Sequence, residues 1–302
     1  MPEDTEEIYE FDEGALEPEL LLRPGLTDAL ARRASFSRRH VGSFAAPRAG
    51  NGMASASAPA SWHSGDRVDF AWHQGEDVVF ARFDRAGNVV IAPQPIGRGQ
   101  WPQVSSDGAH AAVAWSGAEQ TIVRIHDGEA WQPEMQLNGL RPDIVHAPDG
   151  VVYVGTTSGM FRSTAGGFEQ IDRRGFDECA IGWDGSAPIV AFRRDQRIFC
   201  GETDLGSGQH PCILVTNEGI VHVAYVAGTA IVMRTRDGGR WSEARSLAPS
   251  GTWPALARGA AEEIRLTFLT SVKEGADALW MLRLPDTTPV LVPSVAGNVT
   301  AA

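Results

Sequence analysis

Four prolines each follow a side chain equipped to grip a ligand: Trp101-Pro102, Arg141-Pro142, His210-Pro211 and Trp253-Pro254. Ala58, ahead of Pro59, and Asp177, ahead of Glu178, stand at the corresponding points of two further segments. Indole faces stack on the apolar C–H faces of sugars or on cations, while arginine and aspartate fix hydroxyls by directed hydrogen bonds. His210 with Asp177 also has the composition of an acid–base pair, although no nucleophile accompanies it. His63, His110, His126, His146 and His222 fall at no metal-ligand spacing, and Cys179, Cys200 and Cys212 form no CxxC motif. Reduced structural cysteines, no metal, no cofactor and no catalytic residue are therefore expected.

These residues recur because the segments that carry them recur. The clearest copy runs Trp101–Val104, Asp107-Gly108, Ala111–Trp115, Thr121–Ile125, Asp127-Gly128 and Trp131 to Leu137, which reads as four short strands separated by turns. Similar copies start near 59, 142, 178, 211 and 254, at spacings of 33 to 43 residues. Four strands about every 40 residues predict an all-β, six-bladed β-propeller of four-stranded antiparallel blades. The blades are expected over residues 56–98, 99–139, 140–175, 176–207, 208–250 and 251–294, with a tail over 295–302. The second strands end in Trp72, Trp115, Phe192, Tyr225 and Phe268, and only Gly155 breaks the series. These aromatics read as packing between blades.

In such a blade the first strand starts at the face where the second one ends. The residues ahead of the repeated proline (Ala58, Trp101, Arg141, Asp177, His210, Trp253) then ring the mouth of the central channel. The ends of the second strands bring His73, Ser116, Thr156, Arg193 and Arg194 to the same face. The expected ligand-binding set is Trp101, Arg141, Asp177, His210, Trp253, Arg193, Arg194 and His73, with a glycan or small molecule as ligand. The plainer alternative packs the two indoles under loops and pairs Arg141 with Asp177.

Ahead of the repeats lies a non-propeller arm over residues 1–55. Its first twenty residues hold nine carboxylates and no basic residue, and six arginines follow between 21 and 50. Segregated charge of this kind reads either as a docking arm for a protein partner or as a strap on the propeller. Thr27 is placed to cap a helix over 28–34, and the strand-like His40–Phe44 to lie against or cap the last blade. A net charge of −12 argues against nucleic acid. No run reaches 18 apolar residues and no secretory leader is evident, so a cytoplasmic protein, or part of a particle assembled in the cytoplasm, is expected and no membrane partner.

The turns Asp127-Gly128-Glu129-Ala130-Trp131 and Thr235-Arg236-Asp237-Gly238-Gly239-Arg240-Trp241 resemble the Asp-box of the sialidase-like, BNR-repeat propellers. Thr235, Asp237 and Gly239 match that box, with Trp241 one residue early. The resemblance spans about residues 56–294 and implies the fold, with an Asp that bonds turn N–H groups and a Trp that plugs the gap between strands. Sialidase catalysis is not implied. The chain has no Arg-Ile-Pro motif, Tyr9 lies in the arm, and Tyr153 and Tyr225 lie within strands. Ligand recognition without catalysis is the expected function, a protein–protein scaffold or a glycoside hydrolase-like enzyme the alternatives.

Overall fold

The computed structural model describes residues 60–291 except 65, 85, 259–262, 272–276 and 287. The arm, including 28–34 and 40–44, and the tail from 295 lie outside the described residues. Six antiparallel sheets follow one another along the chain, and they form a six-bladed β-propeller. Blade 1 holds β1 (Ala60–Ser64), β2 (Arg67–Gln74), β3 (Asp77–Asp84) and β4 (Val89–Arg98). Blade 2 holds β5 (Gln100–Ser106), β6 (Ala111–Ser116), β7 (Gln120–His126) and β8 (Met135–Asn138). Blade 3 holds β9 (Asp143–His146), β10 (Val152–Thr156), β11 (Gly159–Thr164) and β12 (Gly167–Asp172). Blade 4 holds β13 (Glu178–Trp183), β14 (Pro188–Arg194), β15 (Arg197–Cys200) and β16 (Thr203–Ser207). Blade 5 holds β17 (Gln209–Val215), β18 (Val221–Ala227) and β19 (Ala230–Asp237), whose outer neighbour is split into β20 (Arg240–Trp241) and β21 (Arg245–Ala248). Blade 6 holds β22 (Thr252–Arg258), β23 (Ile264–Ser271), β24 (Asp277–Leu284) and β25 (Val290–Leu291).

First strands pack on the first strands of neighbouring blades, from β5 through β9, β13 and β17 to β22, so they are the innermost layer. Second strands are apolar on both faces because each is covered by a blade on either side; every residue of β6 is buried. The aromatic that ends the second strand is interblade packing, as expected. Trp115 is fully buried and donates its indole N–H to the Arg98 carbonyl of blade 1 at 2.8 Å. Tyr225 does the same to the Leu205 carbonyl of blade 4 at 2.6 Å. Where blade 3 has Gly155, a Cβ would stand 2.8 Å from Cys179 Sγ and 3.0 Å from Ile181 Cδ1, so side chains of blade 4 occupy the aromatic's place.

Side chains also stitch the inner strands together. Ser105 Oγ accepts from the His146 N–H at 2.8 Å, and the buried Asp143 carboxylate accepts from the Ile181 N–H at 2.8 Å. Short Asx turns close the hairpins. Asp107, Asp127 and Asp184 each accept two turn N–H groups, and those of Ala130 and Glu129 hold the Asp127 carboxyl below the usual carboxylate range. Trp131 then lies edge-on to Phe80 of blade 1, with ring centroids 4.9 Å apart.

Candidate functional site

The mouth is built by one device repeated with variations. In blade 2 the β5–β6 register skips from Gln100↔Ser116 to Gln103↔Ala114, so Trp101 and Pro102 together oppose Trp115. In blade 5 His210 and Pro211 oppose Tyr225, and in blade 6 Trp253 and Pro254 oppose Phe268. Each is a β-bulge, the irregularity that re-aims a side chain at the rim of a sheet. The residues at this position are left-handed in four blades: φ is 55° at Trp101, 53° at Arg141, 55° at His210 and 53° at Trp253. Left-handed backbone in a bulky residue costs about 1–3 kcal/mol, and a residue before proline is ordinarily extended.

A glycine two residues upstream makes the device possible. Gly99, Gly208 and Gly251 donate their N–H groups to the turn carbonyls of Glu76, Gln196 and Thr229 in the preceding blades, at 2.9 Å each. A Cβ at Gly208 would stand 2.6 Å from Tyr225 Cδ2, one at Gly251 would stand 2.7 Å from Phe268 Cδ2, and one at Gly99 would collide with Trp115 and the Ser116 carbonyl. Gly139 and Gly175 occupy the same place before Arg141 and Asp177. This Gly-x-X-Pro pattern was the readable signal for the mouth residues, beyond the proline alone.

The expected ring of six equivalent positions needs correction in blade 4. Glu178↔Arg193 continues the ladder without a bulge, and the Asp177 N–H donates to the Arg193 carbonyl at 2.9 Å. Asp177 is the regular member because Glu178 replaces the proline that elsewhere removes a ladder donor. Glu178, absent from the expected site, takes a central part. Its carboxylate accepts the His210 backbone N–H at 2.8 Å and lies 2.9 Å from His210 Nδ1. The acid beside His210 is therefore Glu178, not Asp177. Ala58 lies outside the described residues.

Neighbouring blades bring the mouth residues together in pairs. His210 stacks on Trp253, with ring centroids 3.5 Å apart and planes 30° from parallel. The Arg141 guanidinium lies 5.9 Å from the Trp101 ring centre, and the Arg141 backbone N–H donates to Ser116 Oγ at 2.9 Å. Asp177 faces Arg193 at 3.8 Å, so the acid partner in that ion pair is not taken by Arg141. Arg194 lies over Phe192 and Phe199, at 5.8 and 5.3 Å from their ring centres. His73 is only 2% exposed, and burial lowers its pKa from 6.5, which keeps the imidazole neutral. His73 Nδ1, Trp101 Nε1 and Arg193 Nε are buried without a hydrogen-bond partner, which groups three of the expected site residues among the poorly satisfied polar atoms.

None of the three cysteines is in a disulfide and all are buried, and burial pushes the Cys200 thiol up to about 12, which removes it from thiolate chemistry near neutral pH. Among the described residues no group of three His, Cys, Asp or Glu side chains is placed to hold a metal ion.

No protein-family model and no curated protein matches the sequence. Solved structures that are similar are propellers of low identity. An ulvan lyase, described as a new family of polysaccharide lyase, has a TM-score of 0.53 and 11% identity over 80% of this chain and 83% of its own. A variant of Aleuria aurantia lectin in complex with alpha-methyl-L-fucoside has a TM-score of 0.50 and 12% identity over 81% of this chain and 97% of its own. The chain spans 46% of the length of a prolyl endopeptidase that it matches at 13% identity and TM-score 0.49. At these identities the shared property is the fold.

Proposed function

We propose that this propeller recognises a ligand at its channel mouth without transforming it, and that the ligand is a saccharide. The observation that carries this reading is the repeated bulge. Four bulky residues of three chemistries occupy one backbone position in four blades, each in a costly left-handed conformation. A glycine would hold that conformation at no steric cost. Indoles, an imidazole and a guanidinium are retained there instead, at one rim, in the combination that stacks on sugar rings and bonds hydroxyls. That propellers of similar fold include a lectin bound to a fucoside and a polysaccharide lyase supports the ligand class.

The sialidase-like resemblance remains part of this proposal as a matter of form. The two turn N–H groups that Asp127 accepts support it, whereas the turn at Asp237 closes a tighter hairpin through Asp237↔Arg240. A glycan array and calorimetry on the double variant Trp101→Ala, Trp253→Ala test the reading. Binding is expected to disappear with thermal stability nearly intact; a large loss of stability would identify the indoles as core.

The Glu178–His210 contact favours a second reading, hydrolysis at the same mouth. A carboxylate on Nδ1 fixes the tautomer that leaves Nε2 as a base, and no described residue occupies Nε2. Turnover of a fluorogenic glycoside panel that vanishes in Glu178→Gln would establish it. For the arm, we propose docking of a protein partner through residues 1–50.

A further inference from the structure

We infer that the rim over blades 3 and 4 is an anion subsite, so that the saccharide taken at the mouth carries carboxylate or sulfate groups. The inference rests on the recognition reading and gives its ligand a chemical class. Five arginines reach this one rim: Arg141 before β9, Arg173 and Arg174 after β12, and Arg193 and Arg194 at the end of β14. In antiparallel blades the first strand begins where the second and fourth end, so these points share one edge. Contacts tie them together. Phe176 and Phe192 pack with ring centroids 4.7 Å apart, and the guanidiniums of Arg174 and Arg194 each lie 5.8 Å from the Phe192 ring centre. The Thr157 N–H donates to the Leu140 carbonyl, beside Arg141, and the Phe176 N–H to the Thr157 carbonyl.

Acceptors on the same rim are mostly committed. Asp172 bonds Arg174, which also reaches Glu202 in the turn after β15 at the opposite edge, and Glu178 is held by His210. Asp177 sits 3.8 Å from Arg193 Nε, beyond hydrogen-bond range, and Asp195 is exposed. By contrast, the guanidiniums of Arg141, Arg173 and Arg194 form no hydrogen bond or ion pair with a described residue, and Arg194 acts on the Asp172 carboxylate only through its charge. Elsewhere the arginines of this acidic chain are largely satisfied: Arg82 by Asp69, Arg162 by Glu169, Arg197 by Asp204, Arg265 and Arg283 by Glu263. A neutral ligand would cover these forks with hydroxyls alone. A carboxylate or sulfate answers each with paired oxygens, which is the geometry a guanidinium favours. Trp101, under Arg141, supplies an apolar face next to the charge.

The experiment is calorimetry on the full chain with four oligosaccharides of matched length: a polygalacturonate, a sulfated galactan, a neutral galactan and a fucosylated neutral glycan, with a single-stranded oligonucleotide as a fifth probe. At least one anionic saccharide is expected to bind about tenfold or more tighter than both neutral ones, and to weaken as salt is raised. Whichever of the first two binds identifies carboxylate or sulfate as the group read. Arg141→Gln with Arg194→Gln should abolish that preference with an unchanged melting temperature. Neutral saccharides bound as tightly as anionic ones would overturn the anion subsite while sparing the recognition reading. No saccharide bound at all would overturn both, and so would tighter binding of the oligonucleotide. A preference that survives the double glutamine variant would place the anion elsewhere and also overturn the proposal.

Discussion

Blades 2, 5 and 6 solve the mouth in one way, and blades 3 and 4 in another. The first group combines an upstream glycine, a bulged X-Pro and a large aromatic opposite it: Trp115, Tyr225 or Phe268. Blade 3 keeps the left-handed Arg141 but has Gly155 for the aromatic, and blade 4 keeps Phe192 but has no bulge. The comparison separates two jobs that one repeat performs. The aromatic seals the seam between blades, and a neighbour's Cys179 and Ile181 can replace it. The bulge sets the direction of one side chain at the rim, and a regular ladder with two acids can replace that.

Seam and rim therefore respond differently to substitution. Trp115→Ala removes a fully buried indole and leaves the Arg98 carbonyl without its donor, so urea denaturation should show a loss of about 3–5 kcal/mol. Tyr153→Ala, in the blade without the aromatic and at a half-buried site, should cost visibly less. Equal losses would mean that the aromatics do not define the seam. Gly208→Ala should cost about 1–3 kcal/mol by the same measurement, because the new methyl meets the Val226 carbonyl at 2.7 Å and backbone has little room to yield.

At the rim, Trp253→Gly relieves a left-handed backbone while deleting the stack on His210. Stability should change by no more than about 1 kcal/mol, while saccharide binding is lost in calorimetry. A loss as large as that of Trp115→Ala would merge rim and seam into one structural unit.

The smallest effect concerns pH. His73, His126, His146 and His222, in blades 1, 2, 3 and 5, all have pKa values lowered by burial from 6.5. The unfolded chain then takes up protons before the folded one does, so stability is full above about pH 6.5 and declines as pH falls below it. Melting temperature should drop between pH 7.5 and 5.5, and His146→Gln should flatten part of that slope. A rising melting temperature on acidification would refute the assignment of these imidazoles as neutral.

The sequence made the fold legible because strand and turn chemistry is local. Alternation in Ala111–Trp115 and the Asp-Gly turns can be read without knowing any neighbour. The bulges were legible only by position. Trp101, His210 and Trp253 could be aligned on their prolines, but nothing local announces a positive φ ahead of a proline, a place that is normally extended. Glu178 escaped notice because its role depends on His210, 32 residues away and in another blade. Arg173 and Arg194 were visible as two Arg-Arg pairs, yet their lack of acid partners exists only in three dimensions.

The glycine that precedes each bulged residue by two positions has a consequence for variation. At Gly99, Gly208 and Gly251 its N–H is anchored in the previous blade, and the following proline needs no partner there, so the backbone around the rim residue is held by atoms that do not belong to that residue's side chain. Each Gly-x-X-Pro is thus a socket whose insert can be exchanged while the mount stays the same. A library that randomises only positions 101, 141, 210 and 253 would sample new mouths on one unchanged scaffold, and this chain already displays three kinds of insert in those four sockets.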